Sequence, residues 1–265
     1  WYKTYTGKVG NIDATLHLIK AGKSYSGYMW FLQNQWPMQI GTGDDMKSDS
    51  ITIQSGNEKV TFILKGILTA EKFAGNVSME MEGNVPKKNS FELRVNADKN
   101  FTVFTYASAK GNAKLPPQMK NESECNYDAS LIWPAGSTLL DETLKKTIKE
   151  MLNIKSPETD PLKFLTGTKN NVIAAWKKDN ASLSPKDTKD LGLSLSYEEV
   201  HNIELMYENE RLLTLSHFIS LYTGGAHNSY SRQLSCFDKH SGKQLKIGDV
   251  VTSAGLKALP GLLDQ

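Results

Sequence analysis

The sequence predicts an α+β protein: an N-terminal antiparallel β-meander, barrel-like, followed by an α+β domain whose helices pack on an antiparallel sheet. Three observations carry this expectation. Short alternating segments separated by turn residues fill residues 1–108, and helix-type periodicity is concentrated between 137 and 182. A strand–turn–strand pattern then runs from Leu212 to Val251.

In the first part, strands are expected at Ala14–Ile19, Tyr25–Phe31, Met38–Gly41, Ser50–Gln54, Val60–Leu68, Phe73–Met81, Ser90–Val95 and Phe101–Ala107. The turn signals between them are Ala21-Gly22-Lys23, Gly43-Asp44-Asp45, Ser55-Gly56-Asn57 and Gly83-Asn84-Val85-Pro86. Connections this short imply an up-and-down arrangement that curls toward closure. Gly27, Gly41, Gly66 and Gly75 fall inside strands, as bends of a curved sheet require.

Residues 109–121 read as a linker, because Lys110, Gly111, Lys114 and Pro116-Pro117 interrupt both strand and helix patterns. The expected domains are therefore 1–108 and 122–265. Cys125–Trp133 opens the second as a strand. Ser137 or Thr138 caps a helix with Asp141 and Glu142 in its first turn, and Leu140, Leu144, Ile148 and Leu152 repeat every four residues on one face. A second helix over Asn171–Lys178 is expected to turn Val172, Ala175 and Trp176 inward. Leu195–Val200 and Ile203–Tyr207 then begin a hairpin answered by Leu212–Tyr222.

Composition narrows the function classes. The 31 basic and 29 acidic residues are interspersed, so no nucleic-acid-binding face is advertised. Apolar runs are far shorter than a membrane span. No Walker, GxGxxG or HExxH pattern occurs, and neither cysteine has CxxC or Cys-His spacing, so neither a cofactor nor a metal centre is expected.

Tyr222-Thr-Gly-Gly-Ala-His227 forms a glycine turn between two strands, and Asp238-Lys-His-Ser-Gly242 forms the next turn. The pattern Tyr-x-Gly-Gly-Ala-His, a strand, then Asp-x-x-Ser-Gly-Lys-x-Leu-x-Ile-x-Asp stands here as Tyr222, Gly224, Gly225, Ala226 and His227, then Asp238, Ser241, Gly242, Lys243, Leu245, Ile247 and Asp249. It resembles the RsiV-like ectodomain family, which also stands at the N-terminus of PdaC-type peptidoglycan deacetylases. The resemblance covers residues 200–255 and extends back to about 122, leaving 1–110 outside it. Asn228 and Val250-Val251 depart from the pattern, and the chain ends at Gln265 where such domains continue, which implies a missing last element.

The resemblance implies an extracytoplasmic, non-enzymatic module of the bacterial cell envelope. Its partner would be peptidoglycan fragments or a wall-directed protein such as lysozyme. Two alternatives stand beside it: a hydrolase of wall glycan or peptide built on His227 and nearby acids, and a structural envelope lipoprotein. Tyr222, Gly224, Gly225 and His227 are the candidate ligand-binding residues of the hairpin, although His227 can equally fix the turn by bonding the backbone. Tyr28 and Trp30 are candidates in the meander, within a cluster that includes Tyr25, Phe31 and Trp36; an exposed aromatic stripe suits sugar faces, a buried one lines a barrel. The acidic pairs Asp44-Asp45, Glu80/Glu82 and Glu198-Glu199 read as carboxylates for glycan hydrolysis or as solvated turns and strand faces. His201 and His217 can meet across a hairpin. In an exported protein Cys125 and Cys236 are expected to form a disulfide, closing a long loop at a gain of about 5 kcal/mol; the competing state is two free thiols.

Overall fold

The computed structural model describes residues 1–33, 37–42, 51–56, 60–81, 87–98, 100–119 and 122–263. Trp36, the Gly43-Asp44-Asp45 turn, Asn57, Glu82 and the 83–86 turn lie outside them.

Eight strands form a closed antiparallel barrel: β1 (Tyr2–Val9), β2 (Ile12–Ala21), β3 (Ser24–Phe31), β4 (Met38–Thr42), β5 (Ile51–Gly56), β6 (Val60–Leu68), β7 (Lys72–Met81) and β8 (Lys87–Val95). Each strand pairs with the next, and β1 closes on β8 through Tyr5↔Val95 to Val9↔Phe91, which removes the sheet edges. Alternate residues point inward, and Tyr5, Leu16, Leu18, Met29, Ile53, Leu64, Phe73 and Leu93 fill the interior. The barrel is a packed core.

The second sheet has six strands in the order β14-β13-β12-β11-β10-β9. These are β9 (Phe104–Lys114), β10 (Glu124–Pro134), β11 (Tyr197–Glu208), β12 (Leu212–Tyr222), β13 (Ser229–Asp238) and β14 (Lys243–Leu245). The sheet is mostly antiparallel, as expected, with one parallel pair, β10 and β11. A parallel pair needs a long crossover, and here it carries α1 (Leu139–Met151), α2 (Pro161–Asp179) and α3 (Pro185–Leu191). The chain ends in α4 (Ile247–Val250) and α5 (Ser253–Leu263).

The helices cover one face of this sheet. Thr138 caps α1, and its side chain and the Asp141 carboxylate satisfy each other's backbone N–H groups. Leu140, Leu144 and Ile148 pack on Leu131, Ile203 and Phe237. Asp160 caps α2 with Pro161 in its first turn. This helix begins ten residues earlier than expected, and Ala175 faces solvent while Ile173 lies over Gly111.

The expected linker 109–121 is corrected. Ala109–Lys114 are the second half of β9, paired with β10 from Ala109↔Ala129 to Lys114↔Glu124. Ala107, Ala109, Gly111 and Ala113 face α2, and a Cβ on Gly111 would lie 2.8 Å from side-chain carbons of Ile173 and Lys169. Small residues let the helix approach, and they also hide the strand's alternation from a hydrophobicity reading. The passage from barrel to sheet falls instead at residues 96–103.

The opposite face meets the barrel along β3. Ser26 Oγ donates to Glu204 Oε1 at 2.8 Å, Tyr28 Oη donates to Ser216 at 3.3 Å, and the Arg232 guanidinium reaches Tyr28 Oη and, at 3.1 Å, Gln39 Oε1. Trp30 packs between His17 and Tyr207, with ring centroids 4.7 and 5.0 Å away. Of the two readings of Tyr28 and Trp30, the exposed platform is corrected and the buried one is modified: they are 1% and 3% exposed, yet they seal the seam between barrel and sheet instead of lining the barrel interior.

The expected Cys125–Cys236 bridge is corrected too. Both thiols are free, Cys125 buried and Cys236 exposed. Cys125 lies beside Tyr197, whereas Cys236 lies beside Thr214, which faces Tyr207. That places them three strands apart and about 30 Å along the strand direction, far outside disulfide reach.

Candidate open polar face of the six-stranded sheet

The barrel covers only one end of the sheet face it touches. At that end Phe104, Ile132, Glu204 and Ser216 are buried. Toward the other end the same strands turn polar and open, because alternation places Lys110, Asn112, Asn126, Asp128, Glu198 and Tyr222 on this face beyond the barrel.

Register organises these side chains into rows running across the strands. Asn112 pairs with Asn126, Asn126 with Glu198, and Glu198 with Tyr222, one residue each from β9, β10, β11 and β12. The next row runs Lys110, Asp128, Val200, Ser220 and Tyr230. A cleft of about 440 Å³ lies over them, lined by Lys110, Asn112, Asn126, Asp128, Glu198 and Val200 among others.

The polar groups are ordered by one another. Asn112 Nδ2 donates to Asn126 Oδ1 at 2.6 Å, and Asn126 Nδ2 donates to Glu124 Oε1 at 3.0 Å. Hydrogen bonds from Asn126 and Asn112 hold the Glu124 carboxyl below its usual range. Lys110 Nζ meets Asp128 at 2.6 Å, and Lys114 meets Glu124 at 3.8 Å. Asn228 Nδ2 bridges Glu198 Oε1 and Ser220 Oγ at 3.1 and 3.2 Å. The face thus presents planar amides and carboxylates in fixed orientations with most charges already matched.

The glycine hairpin forms the rim. Tyr222 is half-buried at the end of the first row. Gly224 has φ +84°, and a Cβ there would sit 1.8 Å from the Ser194 carbonyl oxygen, so the turn packs against the segment leading into β11. Gly225 has open space. His227 is exposed and its Nδ1 bonds the adjacent Asn228 carbonyl at 3.1 Å. Among the described residues no hydrogen bond joins His227 to a carboxylate. Of the sequence-derived candidates, Tyr222 lies on the face, Gly224 and Gly225 shape its rim, His227 stands outside it, and Tyr28 and Trp30 lie in the seam.

A second polar chain lies on the helix-covered side. Tyr197 Oη donates to Glu199 Oε2 at 2.6 Å, Glu199 Oε1 meets His201 Nε2 at 2.8 Å, and His201 Nδ1 lies 3.1 Å from His217 Nε2. The hydrogen bond from His201 outweighs burial and holds the Glu199 carboxyl low. His217 is fully buried, and burial, reinforced by His201, lowers its pKa to about 4. With the carboxylate accepting from His201 Nε2–H, neutral rings leave His201 Nδ1 to accept from His217 Nε2–H. His217 Nδ1 then has no partner. In the sequence Glu199 stands only as one of several acids near the histidines and Tyr197 carries no signal, because residues two apart become side-chain neighbours only along a continuous strand.

Among the described residues no group of three or more histidine, cysteine or acidic side chains is arranged to hold a metal, and no helix is long and apolar enough to cross a membrane.

No sequence-family model matches the chain, and no curated protein sequence matches it. Solved structures do. A member of the DUF3298 family from Bacteroides fragilis superposes with a TM-score of 0.53 at 22% identity, covering 62% of this chain and 68% of its own. A DUF3298 family protein from Pseudomonas aeruginosa covers 62% of this chain and 70% of its own at 17% identity, with a TM-score of 0.35. Over that part of the chain, the fold resembles that of the Bacteroides DUF3298 protein.

Proposed function

We propose that the protein is an extracytoplasmic binding module of the bacterial cell envelope, and that its contact surface is the open polar face spanning β9 to β12. The carrying observation is the in-register row Asn112–Asn126–Glu198–Tyr222, which stays open beyond the end of the face that the barrel covers. Polar groups pre-oriented in a shallow cleft favour recognition, since little order has to be imposed when a ligand arrives. The resemblance to RsiV-like ectodomains supports the envelope setting and names the candidates: a cell-wall component, or a wall-directed protein such as lysozyme.

A hydrolase centred on His227 draws no support from the geometry, because that ring is bonded to its neighbour's carbonyl at an exposed turn. The Tyr197–Glu199–His201–His217 chain ends on a fully buried ring that no substrate can touch.

Calorimetry of the protein with purified peptidoglycan fragments and with lysozyme, followed by mass spectrometry of the fragments, tests the proposal. Saturable heat with unchanged fragment masses is expected. Altered masses, or no heat with either partner, would overturn it.

A further inference from the structure

Resting on that reading, we infer that the ligand is an extended, uncharged, hydroxyl-rich glycan that crosses the strands at right angles, one sugar per strand, along Asn112, Asn126, Glu198 and Tyr222. Neighbouring strands stand about 4.8 Å apart, close to the length that one pyranose ring contributes to an extended β-linked chain. A linear glycan lying across the row therefore meets a new side chain at each sugar, without bending or skipping.

The chemistry of each position suits a hydroxyl. Asn112 spends both amide donors on Asn126 and Glu124 and offers its Oδ1 as acceptor, Asn126 offers its second Nδ2–H, and Glu198 accepts while Asn228 holds one of its oxygens. Sugar hydroxyls donate and accept at once, so they can join such a network with little disruption. At the end of the row Tyr222 offers a flat ring, whose negative face attracts the polarised C–H groups of a sugar.

Charge argues against other polymers. Lys110 is tied to Asp128 and Lys114 to Glu124, which leaves no free cation in the row for an anionic polymer. Among the described residues of the row, a cationic ligand would meet Glu198 alone as a carboxylate without a paired cation, and Asn228 already holds one of its oxygens. An extended peptide binds by main-chain ladders at a sheet edge, whereas this surface offers side chains only. A folded protein such as lysozyme is accordingly the competing outcome of the test.

The probes are β-linked N-acetylglucosamine oligomers of increasing length, peptide-free glycan strands, intact peptidoglycan fragments and lysozyme, each titrated into the full chain. Affinity should rise with each sugar up to four and then level off. For the N-acetylglucosamine oligomers it should be almost independent of salt, because no counterion release accompanies a neutral ligand. Tyr222→Ala and Asn112→Ala should each weaken binding at least tenfold, and Thr143→Ala on the exposed side of α1 should leave it unchanged. Asn112 is exposed on an edge strand, so its variant tests the site even if the Tyr222 variant folds poorly. Binding to intact fragments or lysozyme without binding to peptide-free glycan would overturn the inference and leave the binding module standing. Length-independent affinity, or indifference to both row variants, would also overturn it. Silence with every probe would overturn both proposals.

Discussion

Lys239 Nζ lies 2.8 Å from Glu208 Oε1 in a buried ion pair, the two side chains 9% and 0% exposed. The same carboxylate oxygen accepts the backbone N–H and hydroxyl of Thr102, each at 2.8 Å, so one charged cluster ties β11 and the β13–β14 turn to the segment leaving the barrel. Burial pushes the Glu208 carboxyl above its usual pKa, and Lys239 opposes that shift. Removing one partner strands the other charge. Lys239→Met should therefore lower stability by about 3–5 kcal/mol, measured by urea denaturation. Adding Glu208→Gln should recover part of the loss, and recovery of none would show that the charge pair is not what holds the seam.

Acid should loosen the protein through its buried histidines. Burial lowers the pKa of His217 from 6.5 to about 4 and that of His17 to about 3. Unfolded histidines take protons near 6.5 while these two stay neutral, so stability is full above that value and falls as the pH drops toward 4. His217 accounts for roughly 3 kcal/mol of that fall. In denaturation curves at pH 4 to 7, His217→Leu should flatten the slope by that share while His17 retains its own.

The turn glycines should separate cleanly. Gly224→Ala puts a methyl group into the Ser194 carbonyl at a positive φ, and should cost about 1–3 kcal/mol in thermal or urea unfolding. Gly225→Ala has open space and should stay within about 0.5 kcal/mol of the parent. Equal effects would mean that the turn does not pack on the segment before β11.

The thiols give a test that needs no variant. Cys236 is exposed and Cys125 is buried, with its thiol pKa raised by burial. Iodoacetamide should add one label to the native protein and two in denaturant, read by intact-mass spectrometry. No label in the oxidised denatured protein would restore the bridge.

Much of the fold was legible where side chains announce their surroundings. Leu140, Leu144 and Ile148 gave α1, and Leu212–Tyr222 gave the central strand of the second sheet. The failures share one cause: sequence records what a side chain is, but not what covers it. Ala107, Ala109, Gly111 and Ala113 are small because α2 presses on them, and small residues carry little hydrophobic signal. Tyr28 and Trp30 read as a sugar platform or as a barrel lining, and neither reading contains the second sheet that covers them. The candidate site was least legible. Asn112, Asn126 and Glu198 come from three separated segments and meet only through strand register, which depends on the parallel crossover. Tyr222 was visible through its glycine turn, and Glu198 only as half of an acidic pair.

The most direct test of the central claim is to map the contact surface by backbone amide shifts on titration with peptidoglycan fragments. The largest changes should fall at Asn112, Asn126, Glu198 and Tyr222, with Tyr28, Trp30 and His217 unmoved. Changes centred on His227 or on the exposed Leu234 of β13, with the row silent, would contradict the assignment of this surface.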